Sequence, residues 1–143
     1  MNEQIKRGRA MLGDMGLARK IRTKRYKSKY IPRFNRLYAA PELQNDSTAR
    51  YTTQCDVYCF GIALWEMVLL RKWTEVELRN GAGACLLELH EVHPIFAKIV
   101  SRCWHEEPQL RPTFDELLEE FSRLNHQEWT SYRISEYSTE PQT

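Results

Sequence analysis

The sequence predicts a mainly helical domain, and three observations carry that prediction. Residues 53–70 are apolar most of the way round a helical turn, the pattern of a helix buried on most sides. Thr113 and Glu116 form a capping-box pair ahead of Phe114, Leu117, Leu118, Phe121 and Leu124, which recur at helical spacing. Almost nothing alternates with the two-residue period of a strand.

Taken in order, residues 9–13 read as one short strand leading into Asp14. Residues 17–38 hold no sustained period and are dense in charge, with Pro32 among them, so they read as a long mobile loop. Val57, Phe60, Leu64, Met67 and Val68 line one face of the central helix, with Cys59, Ile62, Ala63 and Leu69 elsewhere on it. Thr74 is placed to cap a short helix that ends at Gly81-Ala82-Gly83. Pro94 opens another, through Ile95, Ile99, Val100 and Cys103. From about His126 the chain turns to Ser, Thr, Glu and Gln, so residues 126–143 are expected to be a disordered polar tail.

A chain of 143 residues, 42% hydrophobic and 28% charged, can build one domain with a core. No apolar run reaches the ~18–20 residues of a membrane span, and no apolar stretch follows the basic N-terminus as in a signal peptide. An intracellular, cytoplasmic location is therefore expected. There Cys55, Cys59, Cys85 and Cys103 stay reduced, as buried thiols rather than a metal site at Cys55 and Cys59. The net charge of +2 conceals an asymmetry: residues 1–41 carry 12 Lys/Arg and 2 acids, residues 42–143 carry 9 and 17. The basic run from Arg19 to Lys29 suits an acidic protein partner or a merely solvated loop. It lacks the regular aromatics of a nucleic-acid stacking surface, so nucleic acid is not the expected partner.

Several motifs fall in a fixed order. Asp14-Met15-Gly16, flanked by Leu12-Gly13 and Leu17-Ala18-Arg19, resembles the Asp-Phe-Gly motif of protein kinases, with Met replacing Phe. Leu37-Tyr38-Ala39-Ala40-Pro41-Glu42 resembles their Ala-Pro-Glu segment and the substrate-facing loop before it. Ala63-Leu64-Trp65-Glu66, and Cys103-Trp104 followed by Pro108, Arg111-Pro112 and Phe114, are similar to tyrosine kinases and tyrosine-kinase-like kinases. The resemblance covers roughly residues 9–125. It implies the helical C-lobe of the kinase fold over residues 1–125, with 14–42 as activation segment and with the N-lobe and catalytic loop absent.

The same resemblance implies roles for individual residues. Asp14 would bind magnesium carrying ATP phosphates. Glu42 would pair with Arg111, whose planar guanidinium can hold a carboxylate by two parallel bonds. Asp56, near the start of the central helix, matches a residue that accepts backbone N–H bonds from the catalytic loop. Thr23, Tyr26, Ser28 and Tyr30 stand where kinase activation loops are phosphorylated, among Arg and Lys that a phosphate could engage. Phe34-Asn35 replaces the Gly-Thr of many Ser/Thr kinases, whereas Tyr38 leans towards that class.

The 143 residues contain no Gly-rich loop, no clamping strand Lys with its partner Glu, and no His-Arg-Asp with a downstream Asn. Phosphoryl transfer depends on those groups for positioning and charge stabilisation. No catalytic or nucleotide-binding residue is therefore assigned, magnesium and ATP are not expected to bind productively, and the chain is expected to be inactive alone. The alternatives are a non-catalytic, pseudokinase-type module that docks protein partners and a truncated product without an independent role.

Overall fold

The computed structural model describes residues 11–14, 16, 18, 35–45 and 51–124. The basic run, the four candidate phosphorylation sites Thr23, Tyr26, Ser28 and Tyr30, and the tail 126–143 lie outside those residues. Among the described residues five α-helices follow one another: α1 (Pro41–Asn45), α2 (Thr53–Leu69), α3 (Glu75–Val92), α4 (Pro94–Cys103) and α5 (Phe114–Arg123), with a 3-10 turn at Pro108–Leu110 before α5. Residues 11–13, the described part of the strand expected over 9–13, form no strand; among the described residues they have no partner strand to satisfy their backbone groups.

The 17-residue α2 packs chiefly against α4, which also carries α3. Cys55 occupies the place a Glu usually takes in a capping box, and its Sγ accepts the Thr52 N–H at 3.5 Å. Val57, Ile62, Leu64 and Trp65 are buried, whereas Met67, placed on the same stripe by periodicity, is 59% exposed. A Cβ at Gly61 would lie 2.7 Å from Trp104 Nε1 and 2.8 Å from Cys103 Cβ, so only glycine lets α4 approach α2 so closely. Trp73 packs edge-on against both Trp65 and Trp104, with ring centroids 5.3 and 5.2 Å away, and joins the two helices through aromatic contacts.

Thr74 caps α3 with Glu77 as its capping-box partner. At Gly81 the backbone leaves the helix (φ 81°, ψ 160°), the break that Gly-Ala-Gly signalled. The chain does not stop there: it turns helical again to Val92, burying Cys85 and Leu89 against the core. Small residues at the break hid that continuation. Pro94 starts α4, which buries Phe96, Ala97, Ile99, Val100 and Cys103. In α5, Leu117 is buried and Leu118 is 66% exposed, so the helix lies on the core by a narrow stripe. No helix among the described residues is long and apolar enough to cross a membrane.

Candidate functional site

The strongest polar constellation joins α1, the start of α2 and the segment before α5 around Arg111. Its side chain is fully buried, and that of Glu42 is 21% exposed. Arg111 Nη1 donates to Glu42 Oε1 and Nη2 to Oε2, both at 2.8 Å, a two-pronged pair. The other three N–H groups donate to main-chain carbonyls: Nε to His105 at 2.8 Å, Nη1 to Gln54 at 3.0 Å and Nη2 to Glu106 at 3.3 Å. All five guanidinium donors are thus used. The cation also lies 5.1 Å from the centroid of the Tyr58 ring.

Two neighbours complete the cluster. Gln54 Nε2 donates to the Arg111 carbonyl at 2.9 Å and to that of Pro112 at 3.3 Å, so Gln54 and Arg111 hold one another through both side chain and backbone. The Cys55 thiol donates to Glu42 Oε1 at 3.3 Å. Burial pushes that thiol up to about 11, which keeps it protonated and able to donate. Burial also pushes the Glu42 carboxyl up. The bonds from Arg111 and a backbone amide, with the Arg111 charge, outweigh it and hold the carboxyl below its ordinary value.

A second bond network fixes the loop just ahead of α1. The Tyr38 hydroxyl donates to Glu66 Oε1 at 2.8 Å, and the Trp73 N–H donates to the same oxygen at 2.7 Å. Cys59 Sγ donates to the Tyr38 carbonyl at 3.0 Å. The bond to Glu66, with burial and the carboxylate charge, raises the Tyr38 phenol above its usual value. Residues 37–42 are therefore held to α2 at one end through Tyr38 and to Arg111 at the other through Glu42.

Asp14 stands apart in character. It is exposed, and its backbone takes φ 56°, a left-handed conformation that Asp tolerates. Asp56 is exposed and accepts a hydrogen bond from the Tyr51 hydroxyl, so the tertiary fold gives it a partner of its own. Gln54, Cys55, Tyr58 and Glu66 were not singled out from sequence as part of a site. Cys55 left a trace, an apolar-looking residue at the third position of a capped helix. Gln54 left none, because 57 residues separate it from Arg111.

Comparison with known proteins places this arrangement. The family described as "Protein tyrosine and serine/threonine kinase" matches residues 5–121. The chain belongs to that family. It is 30% identical over 124 residues to the human "Cytoplasmic tyrosine-protein kinase BMX", covering 82% of this chain and 18% of that protein. It is 31% identical over 119 residues to the guinea pig (Cavia porcellus) "Insulin receptor-related protein", covering 75% and 9%. With the Arabidopsis thaliana "Probable serine/threonine-protein kinase SIS8" it shares 32% over 94 residues, covering 61% and 9%. The chain thus spans less than a fifth of the length of these relatives. The helical lobe of the kinase fold is what the described residues build.

Kinases as a family use ATP and magnesium. Magnesium takes one or two carboxylates together with phosphate oxygens and water. Asp14 supplies one exposed carboxylate, and among the described residues no group of three or more His, Cys, Asp or Glu could hold a metal ion.

Proposed function

We propose that this chain is the substrate-side, helical part of a protein kinase catalytic domain, and that it transfers no phosphate by itself. The reaction served would be transfer of the ATP γ-phosphoryl group to a protein hydroxyl. The reading is carried by one observation: Glu42 of the Ala-Pro-Glu segment is gripped two-pronged by a fully buried Arg111. Such a grip fixes the end of the activation segment, 14–42, to a rigid helical core, which is what presentation of a protein substrate needs. Tyr38, bonded to Glu66, fixes the loop in front of it. Asp14 would contribute a magnesium ligand only beside a nucleotide held by other groups. Thr23, Tyr26, Ser28 and Tyr30 are the proposed phosphorylation sites, and acidic protein surfaces are the proposed partners of the basic segment around them, in an intracellular setting.

A second reading, a non-catalytic docking module, draws on the core around Trp65, Trp73 and Trp104, which the described residues close without any nucleotide-binding part. One experiment separates the two from catalysis. The chain is incubated with labelled ATP, magnesium and generic protein substrates, alongside Asp14→Ala. Transfer no greater than in the variant is the expected result. Transfer that depends on Asp14 would overturn the assignment of an inactive part.

A further inference from the structure

The first half of α3, residues 75–80, has an unusual attachment. In a helix that packs by hydrophobic burial, the inward face is apolar. Here the only buried side chain of this half is Glu77; Val76 is 53% and Leu78 39% exposed. Beyond Gly81 the pattern is ordinary, with Cys85 and Leu89 buried. Trp65 Nε1 also donates to the Cys85 carbonyl at 3.1 Å and ties that half to α2.

What holds the first half is Arg71, in the connection between α2 and α3. Its Nη1 donates to Glu77 Oε1 at 2.8 Å, before the break, and its Nη2 to Glu88 Oε2 at 2.5 Å, after it. One guanidinium therefore spans the break with one nitrogen on each side. Its cation sits 4.7 Å from the Trp65 ring centroid, and Trp65 is fully buried, so the fork is aimed by the core. The remaining Glu77 oxygen, Oε2, accepts the Thr74 N–H at 2.9 Å and the Thr74 hydroxyl. Both Glu77 carboxylate oxygens are thus bonded to Thr74 or Arg71, and its main-chain carbonyl accepts the Cys85 thiol at 3.8 Å.

The break itself can act as a pivot. Gly81 has φ 81°, and a Cβ there would meet nothing within 4 Å. The glycine serves backbone conformation rather than a tight contact, and the neighbouring Ala82, Gly83 and Ala84 are exposed. On the other side the segment begins right after Trp73, which is buried among aromatic rings. Residues 74–80 are thus fixed at both ends and held between them by the Arg71–Glu77 ion pair and a long thiol bond from Cys85 to the Glu77 carbonyl.

We propose that Arg71 is a latch that holds residues 75–80 closed across a hinge at Gly81, so that this half of α3 opens as a unit while the rest of the lobe stays folded. Opening costs little apolar burial, because the segment buries none of its Val or Leu fully. It does separate Glu77 from Arg71, so the latch sets the equilibrium. Amide hydrogen exchange on the full chain tests this. In Arg71→Ala, exchange at the helical amides of 78–80 should rise about fivefold while amides of α2 and α4 keep wild-type rates. Glu88→Gln, a change at the surface that leaves the fold intact, should give the same local pattern at about two- to threefold. Unchanged exchange at 78–80 in either variant, or a rise spread equally over α2 and α4, would overturn the latch.

Discussion

Two arginines organise this lobe, and they do it in opposite settings. Arg111 is fully buried, uses all five donors and holds one carboxylate with both prongs. Arg71 has a side chain 44% exposed and divides its prongs between two carboxylates on either side of a break. The chemistry is the same and the consequence differs. A buried ion pair stripped of one member leaves a charge in a medium that cannot solvate it, whereas an exposed one is resolvated by water. Arg111 therefore fixes Glu42 and the start of α1 to the core, and Arg71 governs the segment proposed to open.

The largest effect that sharpens this contrast is Arg111→Ala. It should destabilise the chain by about 3–5 kcal/mol, because Glu42 is left half-buried beside Cys55 and three carbonyls lose their donor. Thermal unfolding should show a midpoint lower by about 10 °C or more. An unchanged midpoint in a folded sample would make the two arginines equivalent and end the comparison.

Acid provides the next test. The Glu42 carboxyl is held below its ordinary value, so its contribution to stability is complete above the ordinary carboxylate range and is lost as pH falls through the depressed value. Glu77 and Glu116 are lowered too, chiefly by bonds from Thr74 and Thr113, and act with the same sign. The melting midpoint should fall between about pH 5 and pH 3, and Glu42→Gln should flatten part of that fall. A Glu42→Gln curve that parallels the wild type would remove Glu42 from the acid response.

Arg71→Ala should cost far less overall, about 0.2–1 kcal/mol, as exposed pairs do. Its effect should shrink as salt is raised, because the Debye length falls from about 10 Å at 0.1 M to about 3 Å at 1 M. The Arg111→Ala loss should persist in high salt. Denaturant titrations of both variants at two salt concentrations read this directly, and equal salt sensitivity would break the contrast.

The smallest effect is a gain. Leu70 ends α2 in the left-handed conformation, φ 53°, and is 91% exposed. Leu70→Gly removes that steric cost and sacrifices little burial. It should stabilise by about 0.5 kcal/mol after the added flexibility of the unfolded chain is counted. A loss of stability would show that Leu70 packs against something at the end of α2, close to where Arg71 begins.

Much of the fold was legible because its signals are local. Thr74 as a cap, the pair Thr113–Glu116, Pro94 at a helix start, and the apolar run of α2 each state their element within a few residues. The second half of α3 was lost because its apolar residues follow a Gly-Ala-Gly signal that ordinarily ends a helix. Met67 was misplaced for a different reason. Periodicity names a face, but only neighbouring elements decide how far along the helix that face is covered, and here cover stops short of Met67.

The sequence by itself determined the family, the starts of α2 to α5 in order and the candidate pairing of Glu42 with Arg111, since ordered motifs and capping chemistry are written in residue types at short spacing. Only the tertiary structure decided which groups share Arg111 and what Arg71 does. Gln54 reaches Arg111 across 57 residues, Cys55 meets Glu42 across 13, and Arg71 meets Glu88 across 17. No periodicity records such meetings. They arise because α2, α4 and the aromatic cluster pack in one way, and that packing fixes which distant polar groups must satisfy one another away from water.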